Sequence, residues 1–104
     1  MDLTKDADLL VCSIYQEYIF RRKSGCSKRN AIEFQSDSFR TSGKISSWLP
    51  EDFFSTLSEL KEAGFVMVYI NGNFCITNKL IVYMESRFKN GILEITDFIT
   101  KFIP

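Results

Sequence analysis

The most informative stretch of the sequence runs from residue 57 to residue 87 and reads LSELKEAGFVMVYINGNFCITNKLIVYMESR. At its centre, residues 65–70 are aromatic or β-branched with one methionine, and Asn71 and Gly72 separate them from a second run, 73–77. Asn-Gly between two such runs is the strongest short hairpin signal, because both turn residues must accept positive φ. The stretch therefore predicts a β-hairpin with Asn71 and Gly72 at its tip.

A two-residue loop at Asn71 and Gly72 would set the register of this hairpin. Counting away from the turn, the predicted cross-strand pairs are Ile70 with Asn73, Tyr69 with Phe74, Val68 with Cys75 and Met67 with Ile76. Both faces of the hairpin are then apolar, and an apolar face needs cover. We therefore expect a second element or a second subunit on the side of Val68 and Cys75.

Helices are predicted on both sides of the hairpin. Before it, Pro50 suits a first helical turn, and the carboxylates of Glu51 and Asp52 favour the positive end of a helix dipole. These signals predict a third helix over residues 49–63 that stops at Gly64. After the hairpin, Thr77 is expected to cap a fourth helix, and helical spacing predicts a fifth; their apolar residues are Leu80, Ile81, Met84, Phe88, Ile92, Ile95, Phe98, Ile99, Phe102 and Ile103.

The N-terminal half is predicted to be helical as well. Over residues 4–23, apolar side chains recur every three or four positions, on an arc wider than one packing partner requires. Ser27 is expected to cap a shorter second helix that contains Ala31, Ile32 and Phe34. The polar residues 35–47 are predicted to be a loop, with a helical turn or a short strand near Ile45. The predicted order is helix, helix, helix, hairpin, helix, helix.

Three helices followed directly by a hairpin is the order of a winged helix, and residues 57–87 resemble the third helix and wing of that superfamily. There, a Leu-Lys-Glu-x-Gly step leaves the helix and a Leu/Ile-Thr-x-Lys-Gly phrase follows the wing. The matching residues here are Leu60, Lys61, Glu62, Gly64, Ile76, Thr77 and Lys79, with Leu80 in place of the usual Gly. The chain is thus similar to MarR and PadR regulators and to small uncharacterised bacterial YjcQ-like proteins.

The resemblance implies an α+β fold, mostly α, and the length fits one domain, 1–104. Residues 1–77 would form a winged-helix core and residues 78–104 two C-terminal helices. It also implies a DNA-binding transcriptional regulator whose third helix enters the major groove, with the wing tip, Asn71 and Gly72, near the backbone. In MarR and PadR regulators the helices outside the wing make a twofold contact, which implies a homodimer through the first and last helices. The alternative is a monomer whose last helix covers its own apolar flank.

The charges do not favour that standard docking. Residues 49–64 contain four acidic side chains and Lys61 alone as a base, and residues 63–78 contain no charged side chain. A DNA-binding surface gains affinity by neutralising phosphates, so an acidic helix and an uncharged wing are disfavoured. The chain as a whole has thirteen basic and thirteen acidic residues, so any electrostatic function must be local.

Residues 20–44 are the one concentrated basic region. The expected nucleic-acid-binding residues are Arg21, Arg22, Lys23, Lys28, Arg29, Arg40 and Lys44. The first three would equally suit a helix C-terminus, where cations offset the negative end of the dipole. The alternative function is a protein-interaction module on the same scaffold, without DNA binding, that uses the acidic third helix or the uncharged hairpin.

Other functional classes are not favoured. The chain contains no histidine, which removes Cys/His and Ser/His catalysis and the commonest zinc ligand, so we expect no enzyme, no metal and no cofactor. The three cysteines lack the paired spacing of a metal or redox motif and are expected to be free thiols in the cytoplasm. No segment is long and apolar enough to predict a membrane span. The four tyrosines are expected to pack, with stacking on a nucleic-acid strand as the alternative.

Overall fold

The structure of the protein is a computed structural model that describes residues 2–101. In that range the helices are α1 (Lys5–Lys23), α2 (Lys28–Ala31), α3 (Ser36–Phe39), α4 (Pro50–Glu62), α5 (Asn78–Arg87) and α6 (Ile92–Thr100). One turn of 3-10 helix spans Gly43–Ile45, and the strands are β1 (Glu33–Phe34), β2 (Val66–Val68) and β3 (Phe74–Ile76). The predicted α+β class, mostly helical, is confirmed.

The core surrounds α1, which is buried on several sides. Thr4 caps its first turn, because the hydroxyl accepts a hydrogen bond from the N–H of Ala7 at 3.2 Å. Leu10, Val11 and Ile14 are fully buried, and α2, α4, α5 and α6 all contact this helix. The wide apolar arc seen in the sequence therefore serves several packing partners. Truncating Leu10 or Ile14 to alanine would cost about 2–5 kcal/mol of stability.

Helix α4 confirms the predicted third helix to within a residue at each end. Pro50 lies in its first turn with Glu51 and Asp52, where the carboxylates meet the positive end of the helix dipole. The two adjacent phenylalanines divide between core and surface, since Phe53 is fully buried and Phe54 is half-buried. Their rings pack edge to face with centroids 5.1 Å apart. Phe54 thereby extends the core toward the hairpin loop.

The hairpin is present as β2 and β3, but the register predicted from the sequence is wrong by one residue. Met67 pairs with Cys75, and Val68 pairs with Phe74. Because side chains alternate along a strand, this shift puts Val68 on the inner face with the buried Phe74. Met67 points to the outer face, where 58% of its surface stays exposed. The hairpin therefore has one core face and one largely open face.

The register differs because the hairpin loop has three residues rather than two. The N–H of Gly72 donates to the carbonyl of Tyr69 at 2.9 Å, and the N–H of Tyr69 donates to the carbonyl of Asn73 at 2.8 Å. Gly72 has a φ of +90°, a left-handed conformation that glycine adopts without strain. A four-residue turn that ends on a left-handed glycine is the usual form of a three-residue hairpin loop. Asn-Gly marks the turn correctly without fixing its length.

The second predicted helix is a single turn, which corrects the interpretation of residues 27–34. Helix α2 ends at Ala31, and the next residues form strand β1. This strand pairs antiparallel with β3, so the sheet order is β1-β3-β2. Phe34 lies opposite Phe74, and their rings stack with centroids 5.0 Å apart. A two-residue strand has no periodicity that a sequence could reveal, and its partner lies in a distant part of the chain.

The predicted loop, 35–47, contains α3 and the 3-10 turn at Gly43–Ile45, so the expected helical turn near Ile45 is confirmed. Ser36 ties α3 to the hairpin loop. Its hydroxyl donates to the carbonyl of Gly72 at 2.6 Å, and its backbone N–H donates to Oδ1 of Asn73 at 3.0 Å. These two bonds hold α3 against the tip of the hairpin.

Helices α5 and α6 confirm the two predicted C-terminal helices over the described residues. Thr77 caps α5 by accepting a hydrogen bond from the N–H of Leu80 at 3.3 Å. Helix α6 packs on α1, and its side chains Ile95 and Ile99 are buried in the core. The predicted apolar residues Phe102 and Ile103 lie outside the described residues. Arg87 of α5 also joins Asp8 of α1 through two parallel hydrogen bonds.

Candidate nucleic-acid interface

A tight turn joins α1 to α2 and brings four exposed cations together. The N–H of Cys26 donates to the carbonyl of Arg21 at 3.0 Å, and Gly25 takes a φ of +101° that lets the chain reverse. The hydroxyl of Ser27 then caps α2 by accepting a hydrogen bond from the N–H of Asn30 at 3.2 Å. We call the cations on either side of this turn the basic corner; they are Arg22, Lys23, Lys28 and Arg29.

The side chains of the basic corner are not engaged with carboxylates. Within the part of the chain that the structure describes, none of the four cations forms an ion pair, and all four are exposed. Arg22 donates from Nη1 to the carbonyl of Cys26 at 3.0 Å, which steadies its side chain on the turn. The remaining guanidinium donors of Arg22 point to no protein acceptor in residues 2–101. The corner is therefore available to an anionic ligand.

Arg21, next to this group in sequence, has an internal role instead. Its Nε pairs with Glu17 at 2.8 Å, and its Nη1 donates to the carbonyls of Ala31 at 3.2 Å and Glu33 at 2.7 Å. Its guanidinium carbon lies 4.2 Å from the ring centroid of Phe34. The side chain thus connects the end of α1 with β1. Most of its hydrogen-bonding capacity is already used within the protein.

The other two predicted basic residues do not belong to the same cluster of free cations. Arg40, just after α3, pairs with Asp37 at 3.4 Å. Lys44, in the 3-10 turn, lines a separate cleft with Ser13 of α1 and Thr96 of α6. Of the seven cations predicted from the sequence, four are unpaired and lie together in the basic corner. Arg21 is bonded within the protein, and Arg40 and Lys44 lie in other parts of the surface.

Helix α4 and the hairpin contact each other through β2, and their exposed side chains differ in chemistry from the basic corner. The exposed residues of α4 include Glu51, Asp52 and Glu62, and Lys61 is its one basic residue. On the hairpin, Met67 and Tyr69 are exposed on the outer face, and the side chain of Ile70 is fully exposed at the tip. We call this the α4–hairpin surface. It is acidic and apolar, and neither property attracts a polyanion.

The predicted wing-tip residues have structural roles in the loop. Oδ1 of Asn71 accepts a hydrogen bond from the N–H of Asn73 at 3.0 Å. Gly72 lies against the ring of Phe54, and a β-carbon at this position would be 3.7 Å from a ring carbon. The loop is therefore held from one side by α4 and from the other by Ser36 of α3. Asn71 itself remains exposed.

A cleft of about 580 Å³ lies over the outer side of β1 beside the basic corner, and we call it the polar cleft. Its polar side chains come from α2, β1, the start of α3 and the hairpin; they include Asn30, Glu33, Gln35, Ser38, Tyr69 and Asn73. The hydroxyl of Tyr69 donates to the carboxylate of Glu33 at 3.0 Å. No local pattern in the sequence indicates this cleft, because the β1–β3 pairing that assembles it joins residues far apart in the chain.

The prediction that the tyrosines pack is met only in part, and Cys12 and Cys75 are buried as their apolar surroundings predict. Tyr15 and Tyr18 are buried in the core, whereas Tyr69 is 40% exposed in the polar cleft. All three cysteines are free thiols, and only Cys26 is exposed. Burial raises the pKa of Cys12 to about 12, and the nearby carboxylate of Asp8 adds to this shift. At neutral pH this buried thiol stays protonated and unreactive.

No helix in the described range, 2–101, has the length and apolar character required to cross a bilayer. The same residues contain no group of three or more side chains arranged as metal ligands. Comparisons with known proteins find no matching family model, no similar curated sequence and no similar solved structure.

Proposed function

We propose that the chain is a small winged-helix protein of the cytoplasm that binds DNA and regulates transcription, and that the basic corner makes its main contact with the phosphate backbone. The observation that carries this proposal is the group of four exposed, unpaired cations at the turn between α1 and α2. Unpaired cations on a rigid turn attract phosphates without first breaking an internal ion pair.

The order of the elements supports the winged-helix part of the proposal. Helices α3 and α4 precede the hairpin directly, and a third short strand, β1, completes a small antiparallel sheet with it. The turn at Asn71 and Gly72 lies at the end of the hairpin, as a wing tip requires. The order of the elements indicates only the fold, and the distribution of charged side chains indicates which surface would bind DNA.

The proposed contact differs from the standard docking of a winged helix. Carboxylates on the exposed side of α4 would face the phosphates if this helix entered the major groove, and each would oppose binding. The basic corner faces the backbone instead, so binding is predominantly electrostatic and has little sequence preference. Any sequence preference would then come from DNA shape or from additional contacts beside the corner.

The test is fluorescence anisotropy of a labelled random-sequence duplex titrated with the protein at several salt concentrations. Four phosphate contacts predict a slope of roughly −3.6 in log affinity against log salt, from a slope of about −0.9 per contact. Binding with a slope of this size supports the proposal. The absence of duplex binding at low salt would overturn it.

The proposal includes a homodimer through α1 and α6. Phe20 of α1 and Leu93 of α6 are 61% and 79% exposed, although both are large apolar residues. Phe20 lines a shallow groove together with Ile92 and Thr96 of α6, so α1 and α6 share an exposed, partly apolar surface, and contiguous apolar surface is typical of contact sites. Sedimentation velocity of the parent protein and of a Phe20→Glu, Leu93→Glu double variant tests this point. A dimer that becomes a monomer in the variant supports it, and a monomeric parent protein contradicts it.

A second candidate function is a protein-interaction module, and the α4–hairpin surface is the observation that favours it. Met67 and Ile70 are exposed on a hairpin that carries no charge, and α4, which contacts β2 of this hairpin, carries exposed carboxylates. Such a surface suits a partner segment that is both basic and apolar. Substituting Met67 and Ile70 by serine would then abolish biological activity while leaving duplex binding unchanged. The opposite pattern, with activity lost only when the corner is changed, would favour DNA binding.

A further inference from the structure

The polar cleft is lined by several polar side-chain groups that make no hydrogen bond within the protein. Within residues 2–101, the side chains of Asn30, Gln35 and Ser38 make no hydrogen bond. The amide nitrogens of Asn71 and Asn73 are also free, because only the oxygens of these side chains are bonded. Each of these groups can donate to or accept from a ligand in the cleft.

Two flat groups accompany these donors and acceptors. The ring of Tyr69 is partly exposed, and its hydroxyl bond to Glu33 fixes the position of the ring over the outer face of the sheet. The guanidinium of Arg21 lies on the ring of Phe34 and also lines the cleft. Aromatic rings and guanidinium planes are the groups on which unpaired bases stack. A planar ligand therefore fits the cleft better than a flexible chain.

The charges of the cleft define the ligand further. The carboxylate of Glu33 can accept a hydrogen bond from an amino group, as acidic side chains do from the amino group of cytosine. Arg22 does not itself line the cleft, but its Nη1 donates to the carbonyl of the lining residue Cys26 at 3.0 Å, so its guanidinium lies one hydrogen bond away from the cleft wall. A cation next to the cleft suits a ligand that carries a phosphate. An uncharged sugar would make no use of this cation.

We propose that the polar cleft binds an unpaired nucleobase with an exocyclic amino group, while Arg22 of the basic corner holds the phosphate of the same nucleotide. The volume of the cleft lies within the roughly 300–1,000 Å³ typical of small-ligand sites. This inference rests on the proposed function, because it uses the same phosphate-binding role of the basic corner. Arg22 would contact the phosphate of the nucleotide whose base lies in the cleft. The nucleotide belongs either to a single strand or to a free mononucleotide.

The first experiment measures anisotropy with three labelled single-stranded probes of equal length and charge. They are a deoxycytidylate oligomer, a deoxythymidylate oligomer and an abasic phosphodeoxyribose oligomer. We expect the cytosine probe to bind about tenfold more tightly than the thymine probe. Both bases can stack, but only cytosine has an exocyclic amino group that donates a hydrogen bond to Glu33. The abasic probe should bind most weakly. Equal affinity for all three probes would overturn the inference.

The same experiment separates this inference from the proposed function. If the duplex and the abasic probe bind with a steep salt dependence, and the cytosine and thymine probes bind no more tightly than the abasic probe, the proposed role of the basic corner is supported and the base site is contradicted. If no probe and no duplex binds, both fall. Cytidine monophosphate, titrated alone by calorimetry, distinguishes the two sources of the base. A tighter dissociation constant for the mononucleotide than for the oligomer assigns the site to a free nucleotide, and the reverse assigns it to a strand.

Variants of two cleft residues test the geometry. Tyr69→Ala should lower the affinity for the cytosine probe about tenfold, whereas Tyr69→Phe, which keeps the stacking ring and loses only its hydroxyl bond to Glu33, should lower it by about threefold or less. Glu33→Gln should remove the preference for cytosine over thymine. Met67→Ala, on the same hairpin but outside the cleft, is the matched control and should change nothing. All three positions are exposed, and circular dichroism verifies that each of the four variants is folded. Full cytosine binding by folded Tyr69→Ala would contradict the base site.

Discussion

The basic corner and the α4–hairpin surface are both exposed, and both are built on tight turns held by backbone hydrogen bonds. They differ in what their side chains offer. The corner presents four unpaired cations, whereas the α4–hairpin surface presents carboxylates, Met67 and Ile70. In a winged helix the second of these would be the DNA-binding surface. The order of the elements therefore does not by itself decide which surface of the chain carries the unpaired cations.

The largest expected effect concerns the corner. Reversing three of its charges, in a variant with Arg22→Glu, Lys28→Glu and Arg29→Glu, should lower duplex affinity at low salt by about a hundredfold or more, since attractive phosphate contacts become repulsive. Anisotropy measures the change. The control reverses Lys61 and Lys89, which are exposed outside the corner, and should retain binding. Similar losses in both variants would mean that net charge, and not the corner, governs binding.

The next prediction separates two adjacent arginines. Arg21→Ala should lower the free energy of unfolding by about 1–3 kcal/mol, because its guanidinium bonds two carbonyls and lies on a buried ring. Arg22→Ala should lower it by less than about 0.5 kcal/mol, as is usual for a surface position. Urea unfolding followed by circular dichroism gives both values. Equal losses would contradict the division between an internal and an external arginine.

A smaller effect is expected from the acids of α4. The double variant Glu51→Gln, Asp52→Asn should raise duplex affinity about threefold or less, because repulsion from carboxylates away from the contact is screened by salt. A matched double variant at the start of the chain, Asp2→Asn with Asp6→Asn, should have a comparable effect. An increase of about tenfold or more in the α4 variant alone would place this helix against the DNA and restore the standard docking.

The smallest effect is predicted at the hairpin tip. Ile70→Ser should change the free energy of unfolding by less than about 0.5 kcal/mol, since this side chain is fully exposed. Duplex affinity should be unchanged as well. Urea unfolding and anisotropy on the same preparation test both statements. Weaker duplex binding would mean that the hairpin tip touches DNA after all.

Local signals in the sequence predicted the long helices well. Helix α4 follows from Pro50 and the acidic first turn, and α5 follows from Thr77, which caps it as expected. These features depend on residues within one or two turns of each other, so a sequence contains all the information needed. The same holds for the position of the hairpin turn at Asn71 and Gly72.

Features that depend on distant residues were missed or wrong. The pairing of Phe34 with Phe74 turns part of a predicted helix into strand β1. The hairpin register changes because Ser36 and Phe54 both hold the loop in its three-residue form. The basic residues were identified as a group, but the internal role of Arg21 depends on carbonyls that α2 and β1 bring to it. The polar cleft is assembled entirely by such contacts.

The two hydrogen bonds from Ser36 to the hairpin loop also affect local unfolding. A hairpin tip bonded only to itself frays first and exchanges its amide hydrogens quickly. Here, opening of the tip requires Ser36 to release the carbonyl of Gly72 and the side chain of Asn73. We therefore expect the hairpin tip and α3 to open as one cooperative unit, with the amide of Tyr69 protected from exchange for as long as α3 stays folded.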